Sequence, residues 1–524
     1  MKRGRCIVGV CLILVTLFLL MTGCRGDNTA KTNGESQVTA NKTESDTINN
    51  QGDHSKHEVK KISILNSTNW PIPGDVDVNN NKWTNIYKEA FPDVEIEWII
   101  TPSSSLNEKK NILIATGDMP DLLGCNDLDL VNWAEKGLIQ PLDDVVKEHY
   151  PNQKKYFTQQ TLKYAFYKGK QYCLLTPANS LQNPTTLQVR KDWLDKMGLT
   201  VPQTLNEIFE VMKKFTFEDP DANGKDDTFG YTSGKNLGLM AWVFSAYDVN
   251  ENFWSKVDGK IIPDIIRPEM KDALAYINKL YSAGVYDKDS LVQTNIQVEE
   301  KVTSGNIGFT EFYSWGIGRR IAPALKEKGM EIVPMKPLKG PNGKRMYPSG
   351  LPVWGRFVVS ATCEYPEIPV KIINWLLDSD ESLPYKNINN DKLNCGEIGV
   401  NCILDEKLNF LTEYYDTPQG EYDRYRFSYR LLASYGHIAD VEEKAGMLNY
   451  DAMKAVAPYV QYNDKILTGK IEAEKFGELK TYYDEIKMQI VTGNVGIDEF
   501  DKWVAFFYKN GGQDIIDEVN TLNR

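Results

Sequence analysis

The ten residues Asp219-Pro220-Asp221-Ala222-Asn223-Gly224-Lys225-Asp226-Asp227-Thr228 carry the densest chemistry in the chain. Side-chain oxygens recur at Asp219, Asp221, Asn223 and Asp227 along a tight turn. A hard cation such as calcium takes several oxygens from a flexible loop, and this spacing offers them. Gly224 permits the sharp bend, and Lys225 can turn its backbone carbonyl inward. The twelfth place holds Gly230 where an EF-hand has a bidentate glutamate, so Thr228 or water has to complete the shell. A solvated Asx turn without metal uses the same residues.

The elements that position this loop follow from length and patterning. A chain of 524 residues exceeds what one hydrophobic core serves, so two large lobes are expected. A formal net charge of -12 argues against nucleic acid and against a basic membrane-surface mode. With 27 Tyr and 11 Trp, the chain has many flat amphipathic rings, which suit either sugar stacking or large cores.

The N-terminus reads as a secretion signal. Lys2, Arg3 and Arg5 precede an apolar stretch from Ile7 to Leu20, which is short for a membrane span. Leu20-Met21-Thr22-Gly23-Cys24 resembles a bacterial lipobox, with Met21 where Leu is usual. On that resemblance residues 1–23 are a lipoprotein signal, Cys24 is lipidated, and the mature chain is anchored without a transmembrane helix. An ordinary signal peptide or an uncleaved anchor is the alternative. Residues 24–60 then form a polar tether without aromatic residues. A flexible coil of ~35 residues reaches roughly 30 Å.

Beyond the tether, Lys61 to Asn66 reads as a strand and Lys82 to Ala90 as a helix. Val94 to Ile99 is a second strand, and a helix from Leu106 to Thr116 ends at Gly117. Strands alternating with helices argue for a largely parallel α/β sheet, with ligands at the strands' carboxyl ends. The Asn69-Trp70 loop and the Gly124-Cys125-Asn126-Asp127 loop both follow strands and become candidate cleft walls. Thr204 caps a helix running to Phe217, and Glu207 is placed to close a capping box. Trp83, Trp133, Trp193 and Trp375 sit at helical spacing among apolar neighbours and read as core. Cys125, Cys173, Cys363, Cys395 and Cys402 match no zinc spacing and read as free thiols, with a Cys395–Cys402 pair left open.

Several ordered pieces carry a resemblance. They are Gly117-Asp118-Met119-Pro120-Asp121, Arg190-Lys191-Asp192-Trp193-Leu194, Pro202-Gln203-Thr204 with Glu207, the Asp219 loop, Gly305-Asn306-Ile307-Gly308-Phe309 and Ile490-Val491-Thr492-Gly493. Together they resemble the extracellular solute-binding lipoproteins of ABC importers, in the branch that handles complex polysaccharides and includes calcium-containing alginate-binding proteins. The resemblance spans roughly residues 60 to 524. It implies an α/β class fold of the type II periplasmic-binding-protein kind, with mixed sheets flanked by helices and a hinge between two lobes. The expected boundaries are 61–180 for the first lobe, 181–350 for the second with the calcium loop, 351–430 for the return, and 431–524 for helices packing across both lobes. It also implies a structural calcium held by Asp219, Asp221, Asn223, Lys225, Asp227 and Thr228. The implied partners are an oligosaccharide, ABC permease subunits and the membrane through the lipid, with the protein itself a monomer on the extracellular face.

Sugar recognition stacks a pyranose on an aromatic ring while polar side chains take its hydroxyls. The candidate ligand residues are therefore Asn69, Trp70, Asp127, Arg190, Glu311, Tyr313, Trp315, Trp354, Arg356 and Tyr429. Tyr231, Trp242 and Tyr435 are weaker ones. A net-acidic protein disfavours a polyuronate unless local Arg or Lys reverses the field. A glycosidase would need two placed carboxylates, and no motif marks such a pair, a nucleophile elbow, a His-Glu-x-x-His site or a Walker loop. A surface glycan-binding or sensory lipoprotein without a transporter would share every feature above.

Overall fold

The computed structural model describes residues 59–177, 184–313, 316–350, 353–378 and 448–523, with short stretches at 403–404, 410–411, 422–429 and 431. Cys24, the tether up to residue 58, Trp315, Tyr435, Cys395 and Cys402 lie outside the described residues, and Lys60 at the tether's expected end already belongs to a strand. No helix among the described residues is long and apolar enough to cross a membrane.

Two sheets organise the fold. Strands β1 (Lys60–Thr68), β2 (Val94–Pro102), β3 (Leu122–Gly124) and β4 (Cys173–Pro177) belong to the first. Strands β5 (Thr185–Arg190), β6 (Phe229–Thr232), β7 (Ile307–Tyr313) and β8 (Ile332–Pro334) form the second. Strand β9 (Tyr347–Ser349) follows, and β10 (Val353–Val359) returns to the first sheet. The strand orders are β2-β1-β3-β10-β4 and β8-β5-β7-β6. Neither sheet is as parallel as strand–helix alternation suggests. β1 pairs parallel with β2 and β3, but β10 runs antiparallel to both β3 and β4. β5 runs antiparallel to β7 and β8. The reversal comes from strands that enter a sheet from the other lobe, so no crossover helix returns them to the parallel sense.

Local signals set the helices. In α1 (Lys82–Ala90) the Asn81 side chain accepts from the backbone N–H of Trp83 and Thr84, and Thr84 accepts from Asn81 in return. Helix α2 (Leu106–Thr116) stops at Gly117, whose φ of 83° is left-handed and suits glycine. Helix α3 (Asp127–Glu135) is capped by Asn126. Thr204 caps α4 (Leu205–Phe217), but Glu207 accepts from the N–H of Gln203 at 2.6 Å instead of closing the box on Thr204. Helices α5 (Ala241–Ala246) and α6 (Pro268–Ser282) complete the second lobe's middle, and α7 (Lys470–Thr492), α8 (Glu499–Phe507) and α9 (Gln513–Leu522) end the chain.

Each sheet has its own core. Ile64, Trp83, Trp98, Trp133, Leu122 and Val358 pack around the first, with Trp375 half-buried against them. Trp193, Phe215, Tyr231 and Phe309 pack around the second. The C-terminal helices add Tyr483, Ile490, Trp503 and Ile516 to this second core, while Leu467 and Leu522 pack on the first. Asn520 bonds both backbone groups of Ile261, and Asn523 accepts from the N–H of Ile466 and Leu467. Cys125, Cys173 and Cys363 are free thiols.

Helix α4 lies unusually close to its sheet, and two glycines permit the approach. A Cβ on Gly230 of β6 would stand 2.7 Å from the Met212 Cβ, and one on Gly308 of β7 would stand 2.2 Å from the Phe215 ring. Gly230→Ala is expected to cost ~1–3 kcal/mol by overpacking in urea unfolding. Gly74→Ala, with nothing within 4 Å of the added Cβ, should stay within about 0.5 kcal/mol of the parent. Equal midpoints for the two variants would refute this account of the helix–sheet contact.

Candidate functional site

Strand register brings the polar and aromatic loops to defined edges. Leu65 of β1 is level with Leu123 of β3, so the Asn69-Trp70 and Cys125–Asp127 loops leave the same edge of the first sheet. Gly124 pairs with Phe357, which sets Trp354 and Arg356 of β10 at that edge as well. Pro177, the last residue of β4, is opposite Val353 there. Asn69, Trp70, Asp127, Trp354 and Arg356 are thus gathered on one edge from two loops and one strand end. The Thr68 hydroxyl accepts the Trp70 N–H at 3.0 Å and donates to its carbonyl at 2.8 Å, which fixes the loop. Trp354 is 56% exposed. Arg356 pairs with Asp127 at the start of α3, and its Nη1 is buried without a partner.

The second lobe supplies a cavity of about 380 Å³. Glu311 and Tyr313 at the end of β7, Trp242 of α5, Ser349 of β9, Tyr347 and Lys336 are among its lining residues. Tyr313 pairs with Thr185, so the cavity lies where the chain enters the second sheet from the first. Three buried polar atoms on these lining residues have no hydrogen-bond partner: Glu311 Oε2, Trp242 Nε1 and Ser349 Oγ. Buried polar groups are nearly always paired, so three unmatched ones around one cavity point to a ligand that pairs them. Burial pushes the Glu311 carboxyl up to about 8, against the opposing pull of the Ala241 and Trp242 backbone N–H groups. The Tyr231 and Tyr347 hydroxyls nearby are raised by burial and by the Glu311 charge.

Other sequence candidates have different roles. Arg190 is buried and its guanidinium is bound by both Asp192 oxygens and the Gly305 carbonyl, while it stacks 4.4 Å from the Trp193 ring centroid. It holds β5 to the turn before β7 and is not available to a ligand. Tyr429 is fully buried in the first core, with its hydroxyl on Val78 and Asn81. Tyr231 is likewise buried and bonded to the Leu239 carbonyl. Trp315 lies outside the described residues. Sequence reading missed Tyr347, Ser349 and Lys336. Ser349 lies five residues before Trp354, but nothing local distinguishes Lys336.

In the Asp219 loop, Asn223 ties the acids together. Its backbone N–H donates to Asp219 at 3.2 Å and to Asp221 at 3.3 Å, and its amide donates to Asp221 and Asp227. The Gly224 N–H, a second donor on Asp219, lowers that carboxyl's pKa, while burial and the neighbouring Asp219 raise Asp221. Gly224 has a φ of 75°, and Asp219 and Ala222 are also left-handed. Thr228 departs from the expected set: it is buried, and its hydroxyl donates to the Phe215 carbonyl at 2.8 Å, capping α4. Among the described residues, no three His, Cys, Asp or Glu side chains converge on a ready-made metal position.

Residues 77–381 match the family of bacterial extracellular solute-binding proteins. The chain belongs to that family. Its description is one of binding, not of catalysis. Lipoprotein LipO of Bacillus subtilis is 26% identical over 453 residues, covering 83% of this chain and 87% of LipO. The polygalacturonan/rhamnogalacturonan-binding protein YtcQ of the same organism is 24% identical, covering 97% of each chain. The solved structure of the Streptococcus pneumoniae ABC-transporter substrate-binding protein FusA with kestose superposes with a TM-score of 0.61 at 20% identity, covering 88% of this chain and 98% of FusA. FusA has also been solved as an EF-hand mutant, with a TM-score of 0.59 at 19% identity, again over 88% and 98% of the two chains. The fold of this solute-binding protein is thus the two-lobed, type II periplasmic-binding-protein kind, with mixed sheets flanked by helices.

The raised Glu311 gives a signed pH dependence. Its folded pKa lies above the ordinary 4.5, so between that value and about 8 the folded state holds a proton that the unfolded state has lost. Stability therefore falls as pH rises through this window, by at most about 1.4 kcal/mol per unit from this group. Glu311→Gln should flatten the fall in melting temperature between pH 5 and 8. An unchanged slope would show that Glu311 is ionised throughout.

Proposed function

We propose that the protein captures an oligosaccharide between its two lobes and hands it to ABC permease subunits, without catalysing a reaction. The observation that carries this reading is the second-lobe cavity with its three unmatched polar atoms, at the edge where the chain enters from the first sheet. Hydroxyl-rich ligands supply both donors and acceptors and can pair such atoms. Trp354 and Trp70 on the first sheet's edge offer rings for the apolar face of a sugar. The names of YtcQ and FusA, a polysaccharide-binding protein and an ABC-transporter substrate-binding protein, support the same ligand class and partner. Hinge closure would bring the two halves together around the ligand.

Lipid attachment at Cys24 would hold the body on the extracellular face of the membrane, a reading supported by the lipobox-like sequence and by the name of LipO. In a melting screen against a glycan panel, a true ligand at 100 times its Kd should stabilise the protein by about 2.7 kcal/mol. Trp354→Ala should weaken that ligand at least several-fold in calorimetry while leaving the ligand-free melt unchanged. A panel without any stabilising sugar, or release of a cleaved product, would overturn the receptor reading.

The Asp219 loop would hold calcium through Asp219, Asp221, Asn223, Asp227 and the Lys225 carbonyl. The donor set is all oxygen, and the Asp219 and Asp221 carboxyls lie close enough to hydrogen-bond, a like-charge contact that a cation relieves. When bound, the ion would supply positive charge that pins the turn between α4 and β6. The expected result is a lower melting temperature on chelation, restored by calcium and abolished by Asp221→Asn. A chelator that leaves the wild-type melt untouched would remove calcium from the account.

A further inference from the structure

Asn250 also lines the second-lobe cavity, on the loop that follows α5. Its side-chain oxygen accepts the Asn252 N–H at 2.9 Å. That donor fixes which end of the amide is oxygen, so Nδ2 is the free end, with no partner among the described residues. Thr185, Ser245 and Tyr313 on the same lining offer hydroxyl oxygens that accept. With the Asn250 amide beside them, the cavity presents both senses of hydrogen bond to a neutral sugar.

The Asn250 loop is held from four sides. Asp248 has a left-handed φ of 61°, and its carbonyl accepts from Arg267 at 2.8 Å. The Asn250 N–H donates to the buried Asp264 at 2.8 Å. The Lys487 ammonium of α7 donates to Glu251 at 2.7 Å. Asn463 donates to the Asn252 carbonyl at 3.4 Å. Lys487 is 2% exposed, and its second partner is Asp484 on its own helix. A well-packed apolar side chain often stabilises a core as well as a buried ion pair does. What the ammonium adds is a fixed place for Glu251, the residue next to Asn250.

We propose that Asn250 is a ligand-contacting residue, donating through Nδ2 to a sugar oxygen, and that Lys487, acting through Glu251, is its positioning residue. The inference rests on the reading of the chain as an oligosaccharide receptor and adds two residues to the workings of that site.

Calorimetry on the full folded chain, with maltotriose, cellotriose, xylotriose and galactotriose as probes, tests this alongside thermal melts. Asn250→Asp keeps the oxygen that the Asn252 N–H needs and loses the donor. It should weaken the best-bound probe roughly three- to tenfold, the worth of one neutral hydrogen bond. Lys487→Met should weaken the same probe by a similar factor. The double variant should bind no more weakly than Asn250→Asp alone, because both changes act through one contact. Glu251→Gln leaves Lys487 paired with Asp484 and repeats the test if Lys487→Met does not fold. A purely structural Lys487 would lower the melting temperature and leave the affinity of the folded protein unchanged. That result, or additive losses in the double variant, overturns the positioning role. Parent-like affinity of Asn250→Asp overturns the contact itself and leaves the receptor reading standing. Binding by none of the four probes and by no other glycan of the panel overturns the receptor reading.

Discussion

The register across β3, β10 and β4 in one sheet, and across β5 and β7 in the other, is the constraint on which the rest of the molecule depends. It forces the chain to leave the first sheet at Pro177 and rejoin it at Val353 on the same edge. The strand ends that collect polar loops are therefore the strand ends nearest the crossings. No loop sequence has to create the site, since each only decorates an edge that the pairing has already set. A shift of one residue in β10 would move Arg356 off the edge that Asp127 occupies and turn its side chain to the other face.

Burial and polarity divide the labour among the site residues. Arg190 and Glu311 are both ionisable residues near the ends of neighbouring strands, and both are almost fully buried. Arg190 has every donor group engaged within the protein and serves as a strut. Glu311 has one oxygen unmatched beside a cavity, together with Trp242 and Ser349. The difference lies in hydrogen-bond satisfaction and not in residue type, and it separates architecture from recognition more sharply than charge does.

That difference also explains what could be read from the sequence. The span of α1, the stop of α2 at Gly117 and the Thr204 cap were legible because their causes lie within a few residues of one another. Glu311 and Tyr313 could be named by residue type alone, a carboxyl and a ring of the kinds that meet sugars. Arg190 was misjudged because the Gly305 carbonyl that satisfies it lies 115 residues away. Tyr429 was misjudged because its partners Val78 and Asn81 lie about 350 residues away. Thr228 counts as an oxygen donor in one dimension, yet the fold turns it toward Phe215. The grouping of Trp242, Ser349 and Lys336 has no local signature at all, since three separate segments meet only after both sheets have formed.

The second core is built from two distant parts of the chain, residues 187–338 and residues 479–519. Asn520 and Asn523 then fasten the last helix to Ile261 and to the 466–467 segment. A chain threaded through a membrane N-terminus first would expose the face of α6 that α7 covers until its final helices emerged. The first core has fewer such debts, because most of its members lie before residue 378. The order of assembly is thus written into the connectivity: the first lobe can close during passage, and the second waits for the end of the polypeptide. Removing the last two helices should therefore leave a half-folded molecule that chaperones and proteases of the exterior would treat as unfinished.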